Sequence, residues 1–141
     1  MEAPFIDLLL QRFQPRIADA KRFALDNRVL LLSAGNGTPL DVALAGIPFE
    51  EHMQDRASPY EFSDDCPLVT ASAEDLVVSK AFANRPQDWL DIEGILSLRS
   101  DELDWSQIEE ELGPLAELKE APEILAQLNQ VRQATRQKSS P

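Results

Sequence analysis

Residues 39–50 read PLDVALAGIPFE, and inside this apolar run stands one carboxylate, Asp41. An unpaired charge is costly to bury, so Asp41 needs either a partner or a task. Side chains alternate between the faces of a strand, which sets Asp41 with Ala43 and Ala45 and turns Leu40, Val42 and Leu44 the other way. A carboxylate on a face of small residues has room for a ligand, a metal ion or a packed helix. A second group of charges lies further along, on stretches of helical period. At about 100° per residue, Lys80 falls between Leu76 and Val77 in the middle of an apolar face. On the next stretch Asp88 and Asp91 fall within the apolar arc of Trp89, Ile92, Ile95, Leu96 and Leu98. Charges on the apolar faces of consecutive helices, joined by the tight Asn84-Arg85-Pro86 connection, meet each other or line one cleft.

The elements that must position these residues follow from punctuation and periodicity. Ile6, Leu8, Leu9, Leu10 and Phe13 have mixed helical spacing ahead of Pro15, which ends the helix. A short helical turn is expected in DAKRFALDNR. VLLLSA and LDVALAG flank a loop containing Asn36-Gly37 and read as an antiparallel pair of strands. Pro48 opens a helix over 48–57, with Glu50 and Glu51 at the positive end of its dipole. Segment 59–71, with two prolines and Asp64-Asp65, reads as loop with at most one strand. Ser72 begins a capping box with Asp75 in third position, opening a helix to about Asn84. Further helices are expected from Pro86 to about Arg99, from the Asp104 cap to Gly113-Pro114, and from Pro122 onward, with a frayed end in RQKSSP.

The whole reads as an α+β (α/β) chain with a small antiparallel or mixed sheet followed by a helical C-terminal half. Residues 1–71 form the α/β part, 72–135 a helical part packed on it as one domain, and 136–141 a disordered tail. At 141 residues, 43% hydrophobic and 27% charged, the chain is the size of one domain with a real core. A formal charge of −12 repels phosphate backbones and argues against duplex nucleic acid as a partner. The single cysteine, Cys66, can form no internal disulfide. The start lacks the basic lead of a signal peptide, and its apolar run is too short for a bilayer, so no membrane role and a cytoplasmic setting are expected.

LDVALAGIPFE followed by TASAEDLVVSKAFANRPQDWLDIEGIL resembles the nucleotidyltransferases of the DNA polymerase β superfamily, especially the minimal, bacterial-type and abortive-infection toxin members. The resemblance covers most of residues 5–112. In that family a Gly-Ser or Gly-Gly turn and an Asp-x-Asp pair on the next strand hold two magnesium ions, and a third carboxylate on a later strand completes the site. Asp41 matches that third carboxylate, which implies a metal-ligating and catalytic role. The family's helical segment carries a lysine and an R-x-x-D-x-x-D pattern near the nucleotide phosphates. Lys80, Arg85, Asp88 and Asp91 match it, which implies nucleotide binding. No Gly-Ser turn followed by paired aspartates stands before Asp41, and neither Asp7 nor Asp64-Asp65 recreates the pair.

Two readings follow. In the first, the chain is a nucleotidyltransferase-like protein, catalytically incomplete alone, acting as a binding or regulatory module without a cofactor and completed by a homodimer or a partner protein at its sheet edge. In the second, it is active, moving a nucleoside monophosphate from a nucleoside triphosphate to a protein or RNA hydroxyl with Mg2+, the missing carboxylates coming in trans or from upstream sequence. Each residue also has a plainer reading. Asp41 can reach water or a backbone amide, Lys80 with Asp88 and Asp91 can be an ion-pair cluster setting a helix angle, and Arg85 can be a solvated cap. Trp89 and Trp105 are core or interface anchors first, and His52 has no chemistry.

Overall fold

A computed structural model describes residues 2–99 and 102–139. Among them the order is α1 (Glu2–Arg12), β1 (Gln14–Pro15), α2 (Ala20–Asn27), β2 (Val29–Ser33), β3 (Pro39–Ala43), α3 (Pro48–Arg56), β4 (Ser58–Ser63), β5 (Cys66–Thr70), α4 (Ala73–Ala83), α5 (Pro86–Arg99), α6 (Trp105–Leu118) and α7 (Glu123–Ser139). This is an α+β chain with two small antiparallel sheets and a helical C-terminal half. It divides into two compact units, residues 1–51 and 52–141. The boundary falls before the change of character at residue 71, so the β4–β5 pair belongs with the helices.

The first unit is built around one sheet, in the order β1-β2-β3. The Asn36-Gly37 loop sets its register, with Leu31 opposite Asp41 and Leu30 opposite Val42. Gly37 takes a φ of 84°, and the Asn36 side chain accepts the Thr38 N–H at 3.0 Å, closing the turn locally. Alternation then sorts the side chains. Leu30 and Leu32 are buried with Leu44, Ile6 of α1, and Ala20 and Ala24 of α2, while Leu40 and Val42 pack beside them. The two alanines let α2 lie close on the sheet. Lys21 donates to both carboxylate oxygens of Asp7, at 2.6 and 2.7 Å, tying α1 to α2.

The second unit is a packed set of helices. Helix α4 packs on α5, α6 and α7, and α7 also meets α5 and α6. The interior holds Val77, Val78 and Ala81 of α4, Ile92 and Leu96 of α5, Ile108, Leu112 and Leu115 of α6, and Ile124 and Leu128 of α7. The predicted caps form: Ser72 Oγ accepts the Asp75 N–H at 3.0 Å, and Asp104 accepts the Gln107 N–H at 3.1 Å.

The structure corrects several expectations. Segment 58–70 is a complete hairpin, because each proline can sit in an edge strand without breaking the pair. Helix α6 does not stop at Gly113-Pro114 but runs through Pro114 to Leu118. Burial of Leu112, Leu115 and Ala116 on one stripe outweighs the one missing backbone donor, and the helix ends where Glu120 turns to positive φ. Leu98, placed on the apolar arc of α5, is exposed. Helix α7 continues to Ser139, so the expected tail is helical over 136–139, and Ser140 and Pro141 lie outside the described residues. No helix among the described residues is long and apolar enough to cross a membrane.

Ile108 is fully buried, and its replacement by alanine removes apolar contacts and leaves a cavity in the core of the helical unit. Ile108→Ala is expected to cost about 2–5 kcal/mol, read as a lower urea midpoint with unchanged far-UV circular dichroism in the absence of denaturant.

Candidate functional site

Asp41 stands on the solvent side of β3, with its side chain 65% exposed. The strand alternates as the sequence predicts, with Leu40 and Val42 turned to the core and Asp41 and Ala43 away from it. Its partner comes from the opposite edge of the sheet, beyond β2. The Arg16 N–H donates to the Leu31 carbonyl at 3.0 Å, which lays residue 16 beside β2, and its guanidinium reaches across to form an ion pair with Asp41. Asp41 therefore carries an internal counter-ion, in a setting where water screens the pair. A cleft of about 720 Å3 opens elsewhere in this unit, lined by Glu2, Arg28, Gly46, Glu50 and neighbours, without Asp41. There Arg28 binds Glu2 at 2.6 Å, and Glu50 accepts the Gly46 N–H at 2.6 Å.

The charges of the helical unit do meet. Helix α4 ends at Ala83 and is capped by Asn84, whose left-handed conformation turns the chain sharply, and Pro86 starts α5 two residues after the cap. This turn brings Asp88 back over the connection. Its Oδ2 accepts the Arg85 N–H at 3.2 Å, the reach of a third-position acid toward a helix cap, and the same carboxylate takes the Arg85 guanidinium at 2.6 and 3.0 Å. One turn on, Asp91 accepts from Lys80 Nζ at 2.6 Å and from Gln87 Nε2 at 3.0 Å. Lys80 Nζ lies 3.9 Å from Asp88, so the four groups form one connected cluster. Trp89 closes the corner by donating its indole N–H to Asn84 Oδ1 at 2.8 Å.

The electrostatics follow from those contacts. Asp88 is only 2% exposed. Its carboxyl is nevertheless held below the ordinary range, chiefly by hydrogen bonds from Arg85 that outweigh the opposing effect of desolvation. Asp91 is held low by Lys80 and then by Gln87. Arg85 is raised by Asp88 in turn. Two basic and two acidic side chains thus face one another in the cluster. For a phosphate to bind here, it would have to compete with carboxylates already bonded to both cations.

A second network was not foreseen. Asp75, fully buried, accepts from Arg56 at 2.6 and 3.1 Å, from Ser72 Oγ at 2.8 Å and from Gln107 at 3.4 Å. Arg56 also donates to Glu111 at 2.8 Å, and His52 Nδ1 lies 3.0 Å from the same carboxylate. The hydrogen bonds that Arg56 donates to Asp75 lead the effects that hold its guanidinium above the ordinary value. A signal was present in the spacing, because Asp75 lies three residues before Val78 and both are buried on α4, but on the wheel Asp75 stands about 140° from Lys80 and so outside the face that drew attention to the lysine.

Among the described residues no group of three or more His, Cys, Asp or Glu side chains is placed to hold a metal ion. No protein-family model matches the chain, and no curated protein matches it.

Two outcomes follow. Asp88 and Asp91 have lowered folded-state values, so the stability they contribute is present above the ordinary carboxylate range, near pH 4, and is lost as pH falls through those lowered values. The urea midpoint of the wild type should therefore fall in acid more steeply than that of Asp91→Asn. Asp75→Ala strips Arg56 of its principal partner and is expected to cost about 3 kcal/mol, measured by urea unfolding at neutral pH.

Proposed function

We propose that this chain is a nucleotidyltransferase-like protein, catalytically incomplete by itself, that acts as a binding or regulatory module. The observation that carries the reading is the setting of Asp41, whose carboxylate is met by Arg16 of the same chain. Two-metal transfer needs several carboxylates around cations about 4 Å apart, and a lone aspartate facing an arginine does not supply them. The engagement of Lys80 by Asp91 and of Arg85 by Asp88 supports the same reading, since both candidate phosphate ligands already have anions.

A binding role also suits the sheet. Strand β3 is one of its two edges, and an edge strand offers unpaired backbone groups to an added strand. A homodimer or a partner protein completing the sheet there is the associated proposal. The exposure of Asp41 favours the second reading to this extent: a partner that displaced Arg16 and brought further carboxylates would give the aspartate a metal to bind, with Mg2+ and a nucleoside triphosphate as the reactants.

Incubation of the purified chain with each α-labelled nucleoside triphosphate and Mg2+, with RNA and with protein acceptors, tests the proposal. The expected result is no label on any acceptor or on the chain. Transfer that disappears in Asp41→Asn would overturn it.

A further inference from the structure

The β4–β5 hairpin is two strands joined at Asp64-Asp65, with every strand residue exposed. An isolated two-stranded hairpin is marginal in water, and large apolar side chains on it have no folding reason to face solvent. Yet Tyr60 and Leu68 stand opposite one another on one face, Pro59 and Val69 on the other, and Phe62 lies at the register shift beside the turn. Phe62 is 70% exposed and Val69 76%. The strand edges are the less inviting part. Pro59 and Pro67 each remove a backbone donor, the device by which edge strands resist pairing. The side-chain faces are what remain open.

Charge limits what can cover them. The hairpin and its turn carry Glu61, Asp64 and Asp65, and no Lys or Arg occurs between Arg56 and Lys80. A second copy would bring acid against acid, in a chain whose formal charge is −12. We propose that the β4–β5 hairpin is a docking element for another protein, one presenting an apolar surface that carries Lys or Arg side chains. Tyr60 and Phe62 are its anchors, each able to bury about 150–250 Å2, which puts the contact in the range of small, transient interfaces. The proposal gives the binding-module reading a surface and a partner chemistry. It can fail separately, since nucleotide transfer by the chain would overturn that reading while leaving this one intact.

The test uses the full chain, 15N-labelled, titrated with a capped octapeptide alternating lysine and valine and, in parallel, with its glutamate and valine counterpart. The lysine peptide is expected to shift the amide resonances of residues 58–70 saturably, more weakly as salt is raised, with no response to the glutamate peptide. A Phe62→Ser, Val69→Ser double variant should weaken binding about tenfold or more while keeping the wild-type unfolding midpoint, because both side chains are exposed in the fold. The proposal is overturned by no saturable shift, by shifts centred outside the hairpin or insensitive to the variant, or by equal response to both peptides. Sedimentation that revealed a dimer dissolved by the same variant would also overturn it, since the occupant would then be a second copy.

Discussion

A buried carboxylate must have its charge met by the chain, and at Asp88 this requirement shapes the corner between α4 and α5. The residue takes a backbone N–H and a guanidinium from Arg85 and lies within reach of Lys80. Each of these contacts needs the tight turn at Asn84 and the helix start at Pro86. If Asp88 were moved along α5, the cap, the bidentate pair and the approach to Lys80 would be lost together. The same geometry aligns Asp91 with Lys80 and sets Trp89 on Asn84.

Helix α4 is thereby fixed at both ends by ionic contacts and in its middle by packing. Near its start Asp75 binds Arg56 and Gln107, linking α3 and α6, and near its end Lys80 binds Asp91 of α5. Val77, Val78 and Ala81 fill the interior between them. Ion pairs of this kind add little net stability over well-packed apolar residues, but they penalise any arrangement that leaves a charge unmet. Their work in this unit is to choose one helix arrangement from those that apolar packing alone would allow.

Much of this was legible in the residues, and the parts that were not have physical causes. The strands around Asn36-Gly37 and the caps at Ser72 and Asp104 depend on local backbone chemistry, which a sequence states directly. The meeting of Lys80, Asp88 and Asp91 was readable because a helical wheel converts spacing into a shared face. Arg16 as the partner of Asp41 was not, since the pair depends on which strand lies beside which. Segment 58–70 read as loop because its prolines and acids look like turn chemistry, whereas in a two-stranded sheet both strands are edges and tolerate them. Pro114 misled for the opposite reason: a local breaker was overruled by the burial of Leu112 and Leu115 around it.

Lys80 and Arg85 are each bonded to a carboxylate of their own chain, and on the proposed reading neither is free to bind phosphate. Isothermal titration of the chain with magnesium complexes of ATP, GTP, CTP and UTP, alongside a Lys80→Ala variant, tests it most directly. No saturable heat with any of the four is the predicted result. Micromolar binding that vanishes in Lys80→Ala would mean instead that a triphosphate takes Lys80 from Asp91.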